Sequence, residues 1–427
     1  MKKFGWYVFL FSFIFILNLL AFQTKSRFLN LVQRKAFYFF WNEANPKNGL
    51  IRERAANFME GDTDPRSLAS IASVGFGLTA ICIGHSRGWI SYDKAYQRIL
   101  TTLKFFKNSV EGTNGFYYHF LNIYTGKRAG DCELSSIDTA IFLAGALFAG
   151  AYFKGTQIER IADQLYRKTD WDWMRNKKVY ICMGWKPEEG FLPYYWQDYS
   201  EGFLLYVLAI GSPTHPPKNG VEGWKRFNMP VGSYKKYKYV YCPWRNALFI
   251  HQYPQLWLDL RDKIYNSINF FENSVKATLA NRQYCIDNSS KFKSYNKNCW
   301  GLTACDGPDG YTVYGAPPWD ERYPAALDGT VAPTAAGGSV MFTPNESIRA
   351  LKYMYKNFKE DIWGKYGFCD AFNIDEDYYD GDVIGIDLGA MLLSIENYRT
   401  GLVWKKFMQI SYIKNALKKM GFKDKNK

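Results

Sequence analysis

One repeated pattern constrains this chain more than any other feature. A long amphipathic helix is followed by a glycine and an apolar residue, then a loop, then a helix so rich in small and apolar residues that it has no polar face. The pattern occurs four times, at 28–44, Gly49-Leu50 and 67–83; at 92–110, Gly115-Phe116 and 134–151; at 157–174, Gly190-Phe191 and 199–210; and at 346–363, Gly367-Phe368 and 386–398. Stretches 248–260, 264–284 and 334–342 add further helices, about a dozen in all, while alternating strand patterns are scarce. The fold reads as all-α. Ala144, Gly145, Ala146, Ala149 and Gly150 let one helix be surrounded by neighbours, whereas Lys94, Arg98, Lys104 and Lys107 give its partner a solvent face. Inner helices ringed by outer ones make an (α/α) toroid.

Loop length gives the toroid a working end. Outer-to-inner connections are long (49–67, 115–134, 367–385) and inner-to-outer turns short (84–91, 342–345), so a cleft is expected at the inner-helix N-termini. Acids stand there. Asp138 follows Ser135-Ser136-Ile137, Glu201 follows Asp198-Tyr199-Ser200, and Asp387 follows Gly385-Ile386. Glycosidic hydrolysis needs one protonated carboxyl for the leaving oxygen and one carboxylate for water, and three acids at one mouth suit it. Ser135 to Asp138 and Asp198 to Glu201 also have capping-box spacing, a structural alternative for each acid taken singly. Glu346 has that spacing on an outer helix and reads as a cap.

Aromatic residues are 18% of the chain, and their flat faces suit sugar rings. Trp185, Tyr194, Tyr195 and Trp196 lie just before Glu201; Tyr311, Tyr314 and Trp319 lie in a Gly- and Pro-rich stretch over 306–328. His251 with Tyr253 is either a proton-transfer pair or a packed structural histidine. The candidates for substrate binding are Arg52, Trp185, Tyr195, Trp196, Asp198, His251, Trp300, Tyr314 and Trp319. No metal or other cofactor is expected: the chain has four histidines, no C-x-x-C and no H-E-x-x-H, and Asp375, Asp377, Asp380 and Asp382 lack EF-hand spacing. Many of the positive charges behind the net +14 lie in the C-terminal tail, without a nucleic-acid signature, so nucleic acid is not the expected partner. Lys2 and Lys3 precede an apolar run over 4–22, an export signal or a retained membrane anchor, which makes 1–26 a leader and 27–427 one domain, periplasmic or secreted. Eight cysteines permit disulfides in an exported chain without demanding them.

Several segments are specific enough to place the chain. VIGIDLGAMLLSIENYRTG at 383–401, WGLTACDGP at 300–308 with YGAPP at 314–318, APTAAGG at 332–338, MGWKP at 183–187 and GSPTHP at 211–216 resemble the bacterial glycoamylase-like family. That family includes endo-β-1,2-glucanases of glycoside hydrolase family 144 and a domain of cyclic β-1,2-glucan synthases, and the resemblance covers about 27–413. It implies an (α/α)6 toroid, no required metal, and cleavage of β-1,2-glucan by inversion. Carried over by motif, it implies Glu201 as proton donor, Asp387 as base and Asp138 as a third acid that orients sugar hydroxyls or tunes a neighbour. Leu388 and Ala390 stand where the family has Gln and Pro, Gly202 where it has Ala, and Gln255 where it often has His, all bordering the expected site. Two other classes fit the composition: a polysaccharide lyase on an acidic glycan, and a membrane-tethered glycan-binding protein without activity.

Overall fold

The computed structural model describes residues 26–58 and 66–425. The expected leader therefore lies outside the described residues, save for position 26. Among the described residues no helix is long and apolar enough to cross a membrane.

Helix is the dominant regular structure among the described residues. The helix Tyr92–Asn108 shows how the outer elements form: Ser91 Oγ accepts from Lys94 N at its start, and Ala95, Ile99, Leu103 and Phe106 form one buried stripe at helical spacing. Lys94, Lys104 and Lys107 stay exposed. The helix Ser136–Tyr152 is the opposite case, buried from Asp138 to Gly150 on every side. It packs on Ile71–Ser86 backbone to backbone: a Cβ on Gly75 would meet Ile141 O at 2.4 Å, and one on Gly145 would meet Gly75 O at 2.0 Å. Small residues here are a steric requirement.

Contacts between apolar helices run in a circuit. Ile71–Ser86 meets Ser136–Tyr152, which meets Gly202–Gly211, then Leu248–Trp257, Pro333–Gly338 and Gly385–Arg399, and the last returns to Ile71–Ser86. Tyr92–Asn108, Gln157–Lys168, Phe270–Asp287 and Pro344–Ile362 pack against members of that circuit from outside.

The all-α expectation needs one amendment. Among the described residues, nineteen strands of two to four residues form nine small sheets, most of them ribbons in the long loops. Strands this short never complete a legible alternation. They explain the recurrent glycine-apolar pair: Asn114 (φ 53°) and Gly115 (φ 80°) form the tight turn between Gly112–Thr113 and Phe116–Tyr117, where positive φ at both positions is what an Asn-Gly hairpin supplies. All eight cysteines are free thiols, seven of them buried.

Candidate active site

Three of the circuit's helices begin around one cavity of about 350 Å³, within the ~300–1,000 Å³ usual for small-molecule sites. Its wall is contributed by Glu53, Arg54, Ser70, Ser73, His119, Phe120, Ile137, Asp138, Ile141, Glu201, Phe249, Tyr253, Ala304, Tyr311, Ile384, Ile386 and Asp387.

Asp138 sits in the first turn of Ser136–Tyr152. Its backbone N–H is capped by Ser135 Oγ at 3.2 Å, so the structural role foreseen for this spacing is real. Its carboxylate has a second environment. Ser135 Oγ donates to Oδ2, and His119 Nε2 stands 3.6 Å from the same oxygen while Nδ1 is 3.2 Å from Glu133 Oε1. Burial pulls the His119 pKa down, but Asp138, Glu133 and Glu53 outweigh it and raise the imidazole to about 9. An imidazolium therefore faces Asp138 at neutral pH.

Glu201 is not the helical residue its spacing suggested. The helix starts at Gly202, three residues later than expected, and Glu201 occupies the N-cap position without a side-chain capping bond. Asp198, the other half of the presumed box, accepts from Asn228 Nδ2 at 2.7 Å instead. Glu201 is left to face the cavity, where burial, and secondarily the Asp138 charge, push its pKa from 4.5 up to about 7. A carboxyl held protonated near neutrality is what a general acid requires.

Asp387 lies in the first turn of Gly385–Arg399 and is 4% exposed. Gly385 brings that turn against Ile71–Ser86, since a Cβ there would lie 2.4 Å from Ser73 Oγ. No donor reaches Asp387 Oδ2. Burial, and after it the charges of Asp306 and Glu53, push Asp387 up to about 8, and burial with the Asp387 charge pushes Asp370 up as well. Arg54 is the cation of this wall, with Nη1 2.7 Å from Asp306 Oδ2 and Nε 2.8 Å from Glu53 Oε2. Two groups bring ligand atoms within 4.8 Å of one another, His119/Glu133/Asp138 and Asp306/Asp370/Asp380. Each already contacts a positive charge, the imidazolium in the first and Arg54 in the second.

The three acids expected to act together thus share one cavity. The nine expected binding residues do not line it. Arg52 turns away to Glu43, with Nε 3.0 Å from Oε2, and its neighbours Glu53 and Arg54 take the wall. Trp196 is 7% exposed, donates from Nε1 to Ser136 Oγ at 2.9 Å and presses on Gly202, where an alanine Cβ would meet its Cε3 at 2.8 Å; glycine at 202 follows from that contact. Trp300 is fully buried, and Tyr314 is buried with its hydroxyl donating to Asp328. Trp185 packs on Trp173, Trp319 on Tyr284, and Tyr195 accepts from Asn176 Nδ2. His251 is buried between Tyr199 OH and Asn246 Oδ1, and burial holds its pKa down at about 3, so it stays neutral and structural. Gln255 bonds Ser274 Oγ in the core. The common cause is that the long loops fold over their own aromatics. Tyr311, half exposed, is the loop aromatic that does reach the cavity, alongside Phe120, Phe249 and Tyr253. Glu53, Arg54 and His119 were missed, though Glu53 and Arg54 occupy one of the long loops and His119 adjoins another hairpin.

The family model Glycoamylase, described as "Putative glucoamylase", matches residues 193–411. The chain belongs to the glycoamylase family. Among its relatives, an exo β-1,2-glucooligosaccharide sophorohydrolase (non-reducing end) of Parabacteroides distasonis is 29% identical over 433 aligned positions, covering 93% of this chain and 58% of the relative. The chain thus spans somewhat over half of that protein's length. The endo-β-1,2-glucanase of Chitinophaga pinensis, solved with sophorotriose and glucose, is 29% identical with a TM-score of 0.83 over 94% of this chain and 99% of that one. A β-1,2-glucanase of P. distasonis gives 28% identity and a TM-score of 0.81 over 93% and 60%. The resemblance read from the motifs is therefore met.

Proposed function

We propose that this glycoamylase-family chain is an inverting glycoside hydrolase that cleaves β-1,2-glucan. The observation that carries the proposal is the convergence of Asp138, Glu201 and Asp387 on one cavity, where burial pushes the Glu201 carboxyl up to about 7. The relatives' activities on β-1,2-linked glucans support the substrate.

In the proposed step a water oxygen attacks the anomeric carbon as the bond to the leaving oxygen breaks. Asp387 takes a proton from that water, and Glu201 gives its proton to the leaving oxygen, so one proton enters and one leaves the pair. Asp138, held by Ser135 and facing the His119 imidazolium, orients sugar hydroxyls. Tyr311 and Phe249 offer ring faces to the sugar. The six-membered circuit of apolar helices supports an (α/α)6 toroid, with 27–427 as one catalytic unit and the apolar segment before it as an export leader or anchor.

The test is incubation of the purified chain with β-1,2-glucan, its oligosaccharides and an acidic-glycan panel, with products followed by proton NMR. Release of α-anomeric β-1,2-glucooligosaccharides, abolished in Glu201→Gln and in Asp387→Asn, is expected. Unsaturated uronides would mark a lyase, binding without products a glycan-binding protein, and near wild-type turnover in either variant refutes the role assignment.

A further inference from the structure

Between the starts of the helices Ile71–Ser86 and Ser136–Tyr152 a histidine sits between two carboxylates. Its backbone ties the two helix starts together: His119 O accepts from Ile71 N at 3.3 Å, and His119 N donates to Glu133 O at 2.9 Å. Phe120 stacks on the imidazole, with centroids 4.0 Å apart and planes inclined by 13°. In that position Nδ1 is 3.2 Å from Glu133 Oε1 and Nε2 is 3.6 Å from Asp138 Oδ2. A neutral imidazole has a single N–H and would turn a lone pair on one of these carboxylates. Only the doubly protonated ring answers both. Asp138 Oδ2 also accepts from Ser135 Oγ, so this oxygen is held from two sides, while Oδ1 takes neither contact. Asp138 and His119 belong to the cavity wall, and Glu133 does not. Glu133 is nonetheless closely seated: a Cβ on Gly184, the glycine of the MGWKP segment, would meet its Cγ at 2.5 Å.

We propose that Glu133 is a positioning residue of the substrate site: through His119 it keeps both ring nitrogens protonated, and the imidazolium holds Asp138 as a fixed acceptor for a sugar hydroxyl. The proposal rests on the reading of Asp138 as the acid that orients the sugar. The charged groups facing the ring are Asp138 from the helix Ser136–Tyr152, Glu133 from the segment before it and Glu53 from the first long loop. Lys186 lies beyond Glu133, and Arg54 is paired with Glu53. Burial disfavours the imidazolium, and the three carboxylates together outweigh it. Burial also disfavours the Glu133 charge, but the bond to His119 and the His119 and Lys186 charges hold that carboxyl below its ordinary value. A neutral amide at 133 would take one of the three anions away. Once uncharged, the ring would keep its proton on Nδ1, facing the amide oxygen, and Nε2 would turn a lone pair on Asp138. The acceptor would then lose the contact that fixes it, although no atom of residue 133 touches the sugar.

Two measurements test this. Ring-nitrogen NMR of histidine-labelled protein, with His119→Gln to assign the signal, should show both His119 nitrogens protonated at pH 7.5 in the wild type. In Glu133→Gln the midpoint of that ring should fall by about one to two pH units. The second measurement is calorimetric binding of β-1,2-glucooligosaccharides at pH 6 and 8.5 in a Glu201→Gln background, which removes the Glu201 titration and is expected to stop cleavage. Adding Glu133→Gln should raise the ratio of Kd at pH 8.5 to Kd at pH 6 at least about threefold, because the imidazolium is then lost between those values. Adding Glu133→Gln to His119→Gln should leave that ratio unchanged, since the ring that carries the effect is gone. Four results overturn the proposal: a neutral His119 ring at pH 7.5 in the wild type; Glu133→Gln weakening binding equally at both pH values, as a merely structural residue would; effects of the two variants that multiply; or a metal ion at one per chain that His119→Gln loses. The wild-type ring spectrum decides the matter if the variants fail to fold. Absence of binding to these oligosaccharides in the Glu201→Gln parent would instead remove the substrate reading, a separate failure that leaves the ring spectra to decide the state of His119.

Discussion

Glu201→Gln should make the protein more stable at alkaline pH while destroying its activity. In the folded chain the Glu201 carboxyl titrates near 7 instead of 4.5, chiefly because burial disfavours its charge. A raised carboxyl pKa means that the native state binds this proton more tightly than the unfolded chain does. The contribution is complete below pH 4.5 and is lost as pH rises through 7. Above that, folding must accommodate a buried anion at a cost of about 3 kcal/mol, from ~1.36 kcal/mol per pH unit. Glutamine has the shape of the protonated acid and never ionises. With ~2.1 cal/mol/K per residue, a chain of this length has an unfolding entropy of ~0.9 kcal/mol/K, so the gain at pH 8 is roughly 3 °C in Tm. Urea unfolding and calorimetry of both proteins at pH 4.5, 6, 7 and 8 should show curves that coincide at the acid end and diverge upward for the variant. A difference constant across that range, or a wild type that is the more stable at pH 8, would refute the protonation argument for Glu201 and with it the proposed donor.

His119 should show an NMR titration midpoint near 9, falling toward the ordinary imidazole value in Asp138→Asn; as a raised basic group it contributes stability below pH 6.5 that is lost as pH rises through 9. Trp196→Ala should cost ~3–5 kcal/mol and lower Tm by roughly 3–6 °C, because it empties a packed site and removes the hydrogen bond that Nε1 donates to Ser136 Oγ; an unchanged Tm with weakened substrate binding would return Trp196 to the substrate. Gly145→Ala should destabilise by about 1–3 kcal/mol or block folding, since the new methyl meets a backbone oxygen rather than a movable side chain; a neutral effect by chemical denaturation would contradict the close helix contact.

The helical layout and the three acids were legible because both rest on local signals. A helix buried all round must be written in apolar and small residues, and Gly75 and Gly145 show how strict that requirement is. Asp138, Glu201 and Asp387 could be found because each stands where a long loop enters such a helix. The aromatics were misjudged for the complementary reason. Loop membership does not fix exposure, and Trp196, Trp300 and Tyr314 are covered by chain that returns from distant positions. Arg52 and Arg54 differ by two residues in an extended segment, yet one pairs with Glu43 and the other reaches the cavity, a choice set by partners far away in sequence. The carboxyl cluster behind Asp387 was invisible for the same reason, since Asp306, Asp370 and Asp380 meet only in three dimensions.

The free cysteines turn the molecule into its own reporter of opening. Cys82, Cys182, Cys242, Cys285, Cys299, Cys305 and Cys369 are spread from the second helix to the last long loop, and all are sealed from solvent; Cys132 alone is partly accessible. Burial pushes the sealed thiols up, so reagents that need a thiolate meet almost none in the closed state. One site is within reach of solvent and seven wait for their surroundings to part. Their separate labelling rates divide the ring into sectors, and would tell whether the helices around the cavity come loose one after another or surrender as a single cooperative body.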